Sequence, residues 1–213
     1  MKQLWILFCC MAAQTLCAQG LHRSALFLGN SYTYYNTLPA MVASMATSTG
    51  DTLTHDSHTL GGYTLQNHTN NATSTSKIAA GGWDFVVLQE QSQLPSFSIG
   101  QVQTQVFPYA RTLDSLINLH NPCGETVFYT TWGRENGDAA NCPNFPPLCT
   151  YEGMDSLLQL RYGMMADDND AIEAPVAAVW RYLRANTTLD LYDTDGSHPS
   201  LAGSYAAACT FYA

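Results

Sequence analysis

Apolar residues along this chain fall into two alternating rhythms. Ala25 to Leu28 is a short unbroken apolar run, as expected of a strand buried on both faces. Leu38 to Thr49 then places Leu38, Met41, Val42 and Met45 at helical spacing, with Pro39 tolerated in the first turn. Asp51 to Leu60 alternates as a strand and stops at Gly61-Gly62, and Trp83 to Leu88 is the clearest strand of all. Val102 to Leu119 returns to the helical period, with Val106, Tyr109, Ala110, Leu113, Leu116 and Ile117 on one face. Thr126 to Thr131 reads as a strand, residues 133–150 as a long ordered loop rich in Gly, Asn, Pro and Cys, and Tyr151 to Ala166 as a helix. Ala171 to Val176 predicts a last short strand leading into a helix through about Ala185. Thr187 to Pro199 is loop, and Leu201 to Tyr212 is a closing helix.

Strands alternating with helices predict an α/β fold, a doubly wound parallel sheet in three layers. Nothing in residues 19–213 divides the chain by repeat, linker or low-complexity tract, so a single domain is expected. Ligands of such sheets bind beyond the carboxyl ends of the strands. Asn30-Ser31, Gly61-Gly62, Gln89-Glu90-Gln91 and Thr131-Trp132-Gly133 all fall there.

The first 18 residues read as an export signal: Lys2, an apolar stretch from Leu4 to Ala13, and cleavage after Ala18. Gln14, Thr15 and Leu16 lack the small residue that precedes a lipid-modified cysteine, which argues against anchoring through Cys17. No later stretch is long and apolar enough to span a bilayer, so a secreted or periplasmic location without membrane insertion is expected. At the other end, Ala206 to Ala213 is an apolar helical run without a polar tail, which reads as a truncated chain or a buried end.

A formal net charge of -9 with only 8 Lys and Arg removes nucleic acid and anionic membrane as partners, because phosphate binding needs clustered cations. Four cysteines follow the signal. Cys142 and Cys149 bracket a Pro-rich loop and predict a local disulfide, whereas Cys123 and Cys209 are either a second bridge or buried free thiols. No Cys-x-x-Cys pair supports zinc, and His55 and His58 point to opposite faces of their strand, so no metal is expected.

The chemistry sits at the two ends of the chain. Gly29-Asn30-Ser31-Tyr32-Thr33 puts a serine where a strand turns into a helix, and Asp195-Gly196-Ser197-His198 puts a carboxylate and an imidazole in one loop. A serine hydroxyl is a poor nucleophile until a base takes its proton, and an acid fixes that base's tautomer. Ser31, His198 and Asp195 supply these three groups.

These segments resemble the first and last blocks of the SGNH (GDSL-type) esterase and lipase superfamily, in a variant with Asn30 where Asp is commonest. Gly61-Gly62-Tyr63-Thr64-Leu65 resembles the second block, and the resemblance runs from about residue 24 to 209. It implies a flavodoxin-like SGNH hydrolase fold, an acyl-enzyme on Ser31, no cofactor, and an oxyanion hole formed by the Ser31 and Gly62 N–H groups and a third-block Asn side chain. This chain departs from the pattern at that last position. Its third strand ends Gln89-Glu90-Gln91-Ser92, with Gln91 at the Asn position and Gln89 as its rival. Asn30, Gln89 and Trp132 are the candidates for contact with substrate, with Arg134 beside them.

The resemblance implies an exported serine esterase acting on short acyl groups, acetyl on carbohydrate first, with a small-molecule or carbohydrate ester as its partner. Two alternatives stand beside it: a carbohydrate-binding protein with faded activity, motivated by the missing Asn, and a lipase or phospholipase, disfavoured by polar loops and the lack of an apolar lid.

Overall fold

The computed structural model describes residues 20–213. The export signal and Cys17 lie outside the described residues. The element order is β1 (His22–Gly29), α1 (Ser31–Tyr34), α2 (Leu38–Ser48), β2 (Thr52–Thr59), α3 (Leu65–Thr69), α4 (Ala72–Ala79), β3 (Phe85–Leu88), α5 (Ile99–Gln105), α6 (Phe107–His120), β4 (Glu125–Tyr129), α7 (Tyr151–Asp168), β5 (Ile172–Ala174), α8 (Val176–Asn186) and α9 (Leu201–Tyr212).

The five strands form one sheet in the order β2-β1-β3-β4-β5, and every pairing is parallel. Side-chain alternation builds a core on each face. Leu26, Leu28, Val86, Leu88 and Phe128 pack under α3 to α7, while Ala25, Phe27, Val87, Val127, Tyr129 and Ala174 pack under α2, α8 and α9. The fold is thus the three-layer, doubly wound α/β sheet. Its strand order reverses between β1 and β3, which sets a crevice at their carboxyl ends.

Two differences from the expected elements have local causes. The helix expected over residues 102–119 is two helices that meet at Val106, whose backbone (φ -124°, ψ -63°) leaves the helical region. In a continuous helix Pro108 would have no N–H to offer the Thr104 carbonyl and its ring would clash with that carbonyl, whereas in the first turn of α6 it is tolerated. The pair α3 and α4 had no helical signature, because residues 65–79 carry few large apolar side chains. Caps fix them instead: the Thr64 hydroxyl accepts the Asn67 N–H, and the Asn71 side-chain oxygen accepts the Thr73 and Ser74 N–H groups.

A disulfide joins Cys142 to Cys149. Cys123 and Cys209 are both free; Cys123 is exposed and Cys209 half-buried, so neither a second bridge nor a pair of buried thiols is formed. Cys123 lies in the turn before β4, whereas Cys209 belongs to α9 on the far face of the sheet. Among the described residues no helix is long and apolar enough to cross a membrane, and no group of three metal-ligating side chains converges.

Candidate active site

Ser31 opens α1 immediately beyond β1, and the turn that presents it is built by Asn30. The Asn30 side-chain oxygen caps α1 by accepting the Tyr32 N–H at 3.1 Å, and its amide donates to the Tyr63 carbonyl at 2.8 Å. The Ser31 turn is thereby tied to the glycine turn that follows β2.

His198 reaches Ser31 from the loop before α9. Its Nε2 lies 2.8 Å from Ser31 Oγ, and its Nδ1 lies 2.5 Å from Asp195 Oδ2. A proton on Nδ1 donates to Asp195, which leaves Nε2 free to accept the serine proton. The other Asp195 oxygen accepts the Ser197 and His198 N–H groups, each at 2.9 Å. Burial acts to raise the Asp195 carboxyl, but the hydrogen bonds from the His198 ring and from these two N–H groups outweigh it and hold it below its ordinary value.

Aromatic side chains fix the imidazole on two sides. Tyr35 stacks on the His198 ring with centroids 4.4 Å apart and planes within 15°, and Tyr32 meets it edge-on at 5.4 Å. The Tyr32 hydroxyl lies 2.6 Å from Ser197 Oγ. Behind Tyr32, Trp132 stacks on it and on Trp180, and its indole N–H donates to the Ser197 carbonyl at 3.1 Å. Asn36, in the left-handed region at φ 51°, donates its amide to Pro199 O and Ser204 Oγ, which ties the segment after Ser31 to the end of the His198 loop and the start of α9.

Several expected site residues hold the site together and do not face its cleft. Asn30, Gln89 and Trp132 are 2%, 0% and 0% exposed, so none of them is open to substrate. Each is consumed by the bonds and stacks that shape the turns. Gln91 uses its side-chain amide within its own loop. Its amide oxygen accepts the Gln93 and Leu94 N–H groups and its nitrogen donates to Gln93 Oε1, so it caps the short helical turn Leu94–Ser96. Gln89 is no substitute: its oxygen accepts the Asn30 N–H at 2.9 Å and the Thr33 hydroxyl at 2.8 Å. Arg134 pairs with Asp138 at 3.4 Å. Gly62 sits in an exposed turn at φ 71°, and among the described residues neither its N–H nor that of Ser31 is engaged.

Tyr35, Asn36, Glu90 and His68 were not anticipated. Tyr35 had a faint signal, an aromatic one helical turn beyond Ser31. His68 had none; its Nε2 lies 2.9 Å from the Gly29 carbonyl, and burial lowers its pKa from 6.5 to about 4, so it stays neutral and donates that N–H. A groove of about 960 Å³ lies elsewhere, against Phe27, Phe85 and Phe211, and includes none of the site residues.

The sequence matches no protein-family model and no curated protein. Solved structures do match. A protein assigned to the SGNH hydrolases from Slackia heliotrinireducens is 29% identical, with a TM-score of 0.73 over 90% of this chain and 97% of its own. The chain belongs to the SGNH superfamily of ester hydrolases. A DUF4886 family protein from Bacteroides uniformis (17% identity, TM-score 0.76, 90% of this chain and 82% of that one) shares the fold. So does a variant of an acetyl xylan esterase from Geobacillus stearothermophilus (15% identity, TM-score 0.62, 90% and 94%).

Proposed function

We propose that this SGNH protein is an exported serine esterase that removes short acyl groups, acetyl first, from carbohydrate. The observation that carries the reading is the unbroken line from Ser31 Oγ through the His198 ring to Asp195, with contacts of 2.8 and 2.5 Å. Export rests on the signal-like first 18 residues. The preference for acetylated sugar draws on the acetyl xylan esterase of like fold and on the chain's low content of charged residues beside many uncharged polar ones, which suits a neutral polar ligand.

In this reading Ser31 Oγ attacks the ester carbonyl while His198 Nε2 takes its proton. Asp195 stabilises the imidazolium that results. The tetrahedral oxyanion is held by the Ser31 and Gly62 N–H groups, two preorganised donors at the mouth of the β1–β3 crevice. His198 then gives the proton to the leaving alkoxide, and water completes the cycle by hydrolysing the acyl-enzyme through the same base. No side-chain amide from β3 joins the hole in this arrangement, which is the observation behind the alternative of a sugar-binding protein with faded activity.

The test is hydrolysis of p-nitrophenyl acetate and acetylated xylan by the wild type and by Ser31→Ala. The reading predicts turnover by the first and background from the second. Background rates from both would leave the binding-protein alternative standing.

A further inference from the structure

The hydrogen bonds that join the site turns close into a ring, and one carboxyl group completes it. Asn30 grips the Tyr63 carbonyl, and Gln89 grips the Asn30 N–H. Gln89 also donates its amide to the Glu90 carbonyl at 2.5 Å. Glu90 leaves β3 on the face that Val86 and Leu88 present to the core beneath α3 to α7, and it is wholly buried. Both of its carboxyl oxygens lie 3.2 Å from the Leu65 nitrogen, and one also accepts the Gln91 N–H at 2.5 Å. Its own N–H donates to the Tyr162 hydroxyl at 3.0 Å.

A carboxyl group in this place is costly. Among the described residues no Lys, Arg or His pairs with it, and burial of an unpaired charge is strongly unfavourable. The group avoids most of that cost by staying protonated: burial pushes its pKa from 4.5 to about 8, against the pull of the Gln91 and Leu65 N–H groups. What it accomplishes there is to hold Leu65, the residue directly after the Gly61–Thr64 turn. That turn is therefore pinned at Tyr63 from the nucleophile side and at Leu65 from the β3 side.

We propose that Glu90 is a positioning residue of the oxyanion hole, whose carboxyl group fixes the Leu65 N–H and so sets the place of the Gly62 N–H relative to Ser31. The inference rests on the serine-esterase reading. Glu90 touches neither substrate nor Ser31; it acts through the turn. A displaced turn costs the transition state a donor and leaves substrate binding largely intact, so the loss falls on kcat and spares KM.

The experiment compares wild type, Glu90→Gln, Glu90→Leu, Leu65→Pro and Ser31→Ala on p-nitrophenyl acetate, with folding checked by circular dichroism. Glutamine keeps an oxygen to accept the Leu65 N–H, and its kcat stays within about 5-fold of wild type. Leucine removes the acceptor and lowers kcat by about 10²-fold, the effect of one lost oxyanion donor, with KM within about 3-fold. Leu65→Pro deletes the same bond from the donor side, at a first helical position where proline is tolerated after an extended Thr64, and gives the same kcat loss. Wild-type kcat in Glu90→Leu and Leu65→Pro, equal losses in Glu90→Gln and Glu90→Leu, or a loss carried by KM overturns the inference. An inactive Ser31→Ala beside unimpaired Glu90 and Leu65 variants overturns it alone. Wild-type turnover by Ser31→Ala overturns the esterase reading and this inference with it.

Discussion

Gln89 Oε1 accepts the Asn30 backbone N–H at 2.9 Å, so the end of the third strand grips the turn that carries the candidate nucleophile. The same oxygen takes the Thr33 hydroxyl at 2.8 Å. Two residues before the position where the superfamily pattern places an oxyanion side chain, this chain has a buried clamp. Precision of the serine comes from β3 as much as from β1.

Gln89→Leu leaves the Asn30 N–H and the Thr33 hydroxyl buried without their partner. Each such group costs about 1–3 kcal/mol. Urea unfolding is expected to show a loss of about 2–6 kcal/mol with an unchanged slope, and kcat should fall alongside it. Unaltered stability would show that the clamp carries no weight.

Gly29 owes its identity to the same close approach. A Cβ there would lie 2.5 Å from Thr33 Oγ1 and 2.6 Å from Gln89 Oε1, whereas a Cβ on Gly61 would meet only the Tyr34 hydroxyl at 3.9 Å. Gly29→Ala should lower the melting temperature and kcat together, and Gly61→Ala should leave the melting temperature nearly unchanged. Comparable melts for the two variants would contradict the contact.

Tyr35 holds the face of the His198 ring, and an aromatic pair of this kind is worth about 0.5–1.5 kcal/mol. Tyr35→Phe is expected to keep near-wild-type kcat. Tyr35→Ala should lose about 3- to 10-fold, as the imidazole samples orientations from which Nε2 misses Ser31. Steady-state kinetics of the two variants decide it, and equal rates would show that the stack is idle.

How much of this was legible before the fold was known depends on distance along the chain. The strands β1 and β3 stood out because each is a continuous apolar run, and Asp195-x-x-His198 stood out because both side chains turn toward one point within a single loop. The helices α3 and α4 did not, since hydroxyl and amide caps hold them and not an apolar stripe. The roles of Gln89 and Glu90 were hidden for a different reason. Which amide meets which N–H depends on the register that pairs Leu28 with Leu88, and a residue's own neighbours do not reveal that. Trp132 looked available for substrate by its place at a strand end, yet Tyr32 and Trp180 enclose it.

Two buried groups give stability opposite dependences on pH. His68 has its pKa lowered from 6.5 to about 4 by burial, so the unfolded chain binds more protons in that window and stability falls as pH drops from 6.5 towards 4. Glu90 has its pKa raised from 4.5 to about 8, so the folded chain binds more protons and stability falls as pH rises from 4.5 to 8. Urea unfolding across pH should show His68→Gln flattening the acid limb and Glu90→Gln flattening the neutral-to-alkaline one. Unchanged limbs in the variants would contradict these assignments.

The central claim is that Ser31 is a nucleophile activated by His198. Its most direct measurement is covalent labelling by a fluorophosphonate, located by peptide mass spectrometry in wild type, Ser31→Ala and His198→Ala. The account predicts one adduct on the peptide that contains Ser31, absent from Ser31→Ala and formed far more slowly in His198→Ala. An adduct on another residue, or none on the folded wild type, would contradict it.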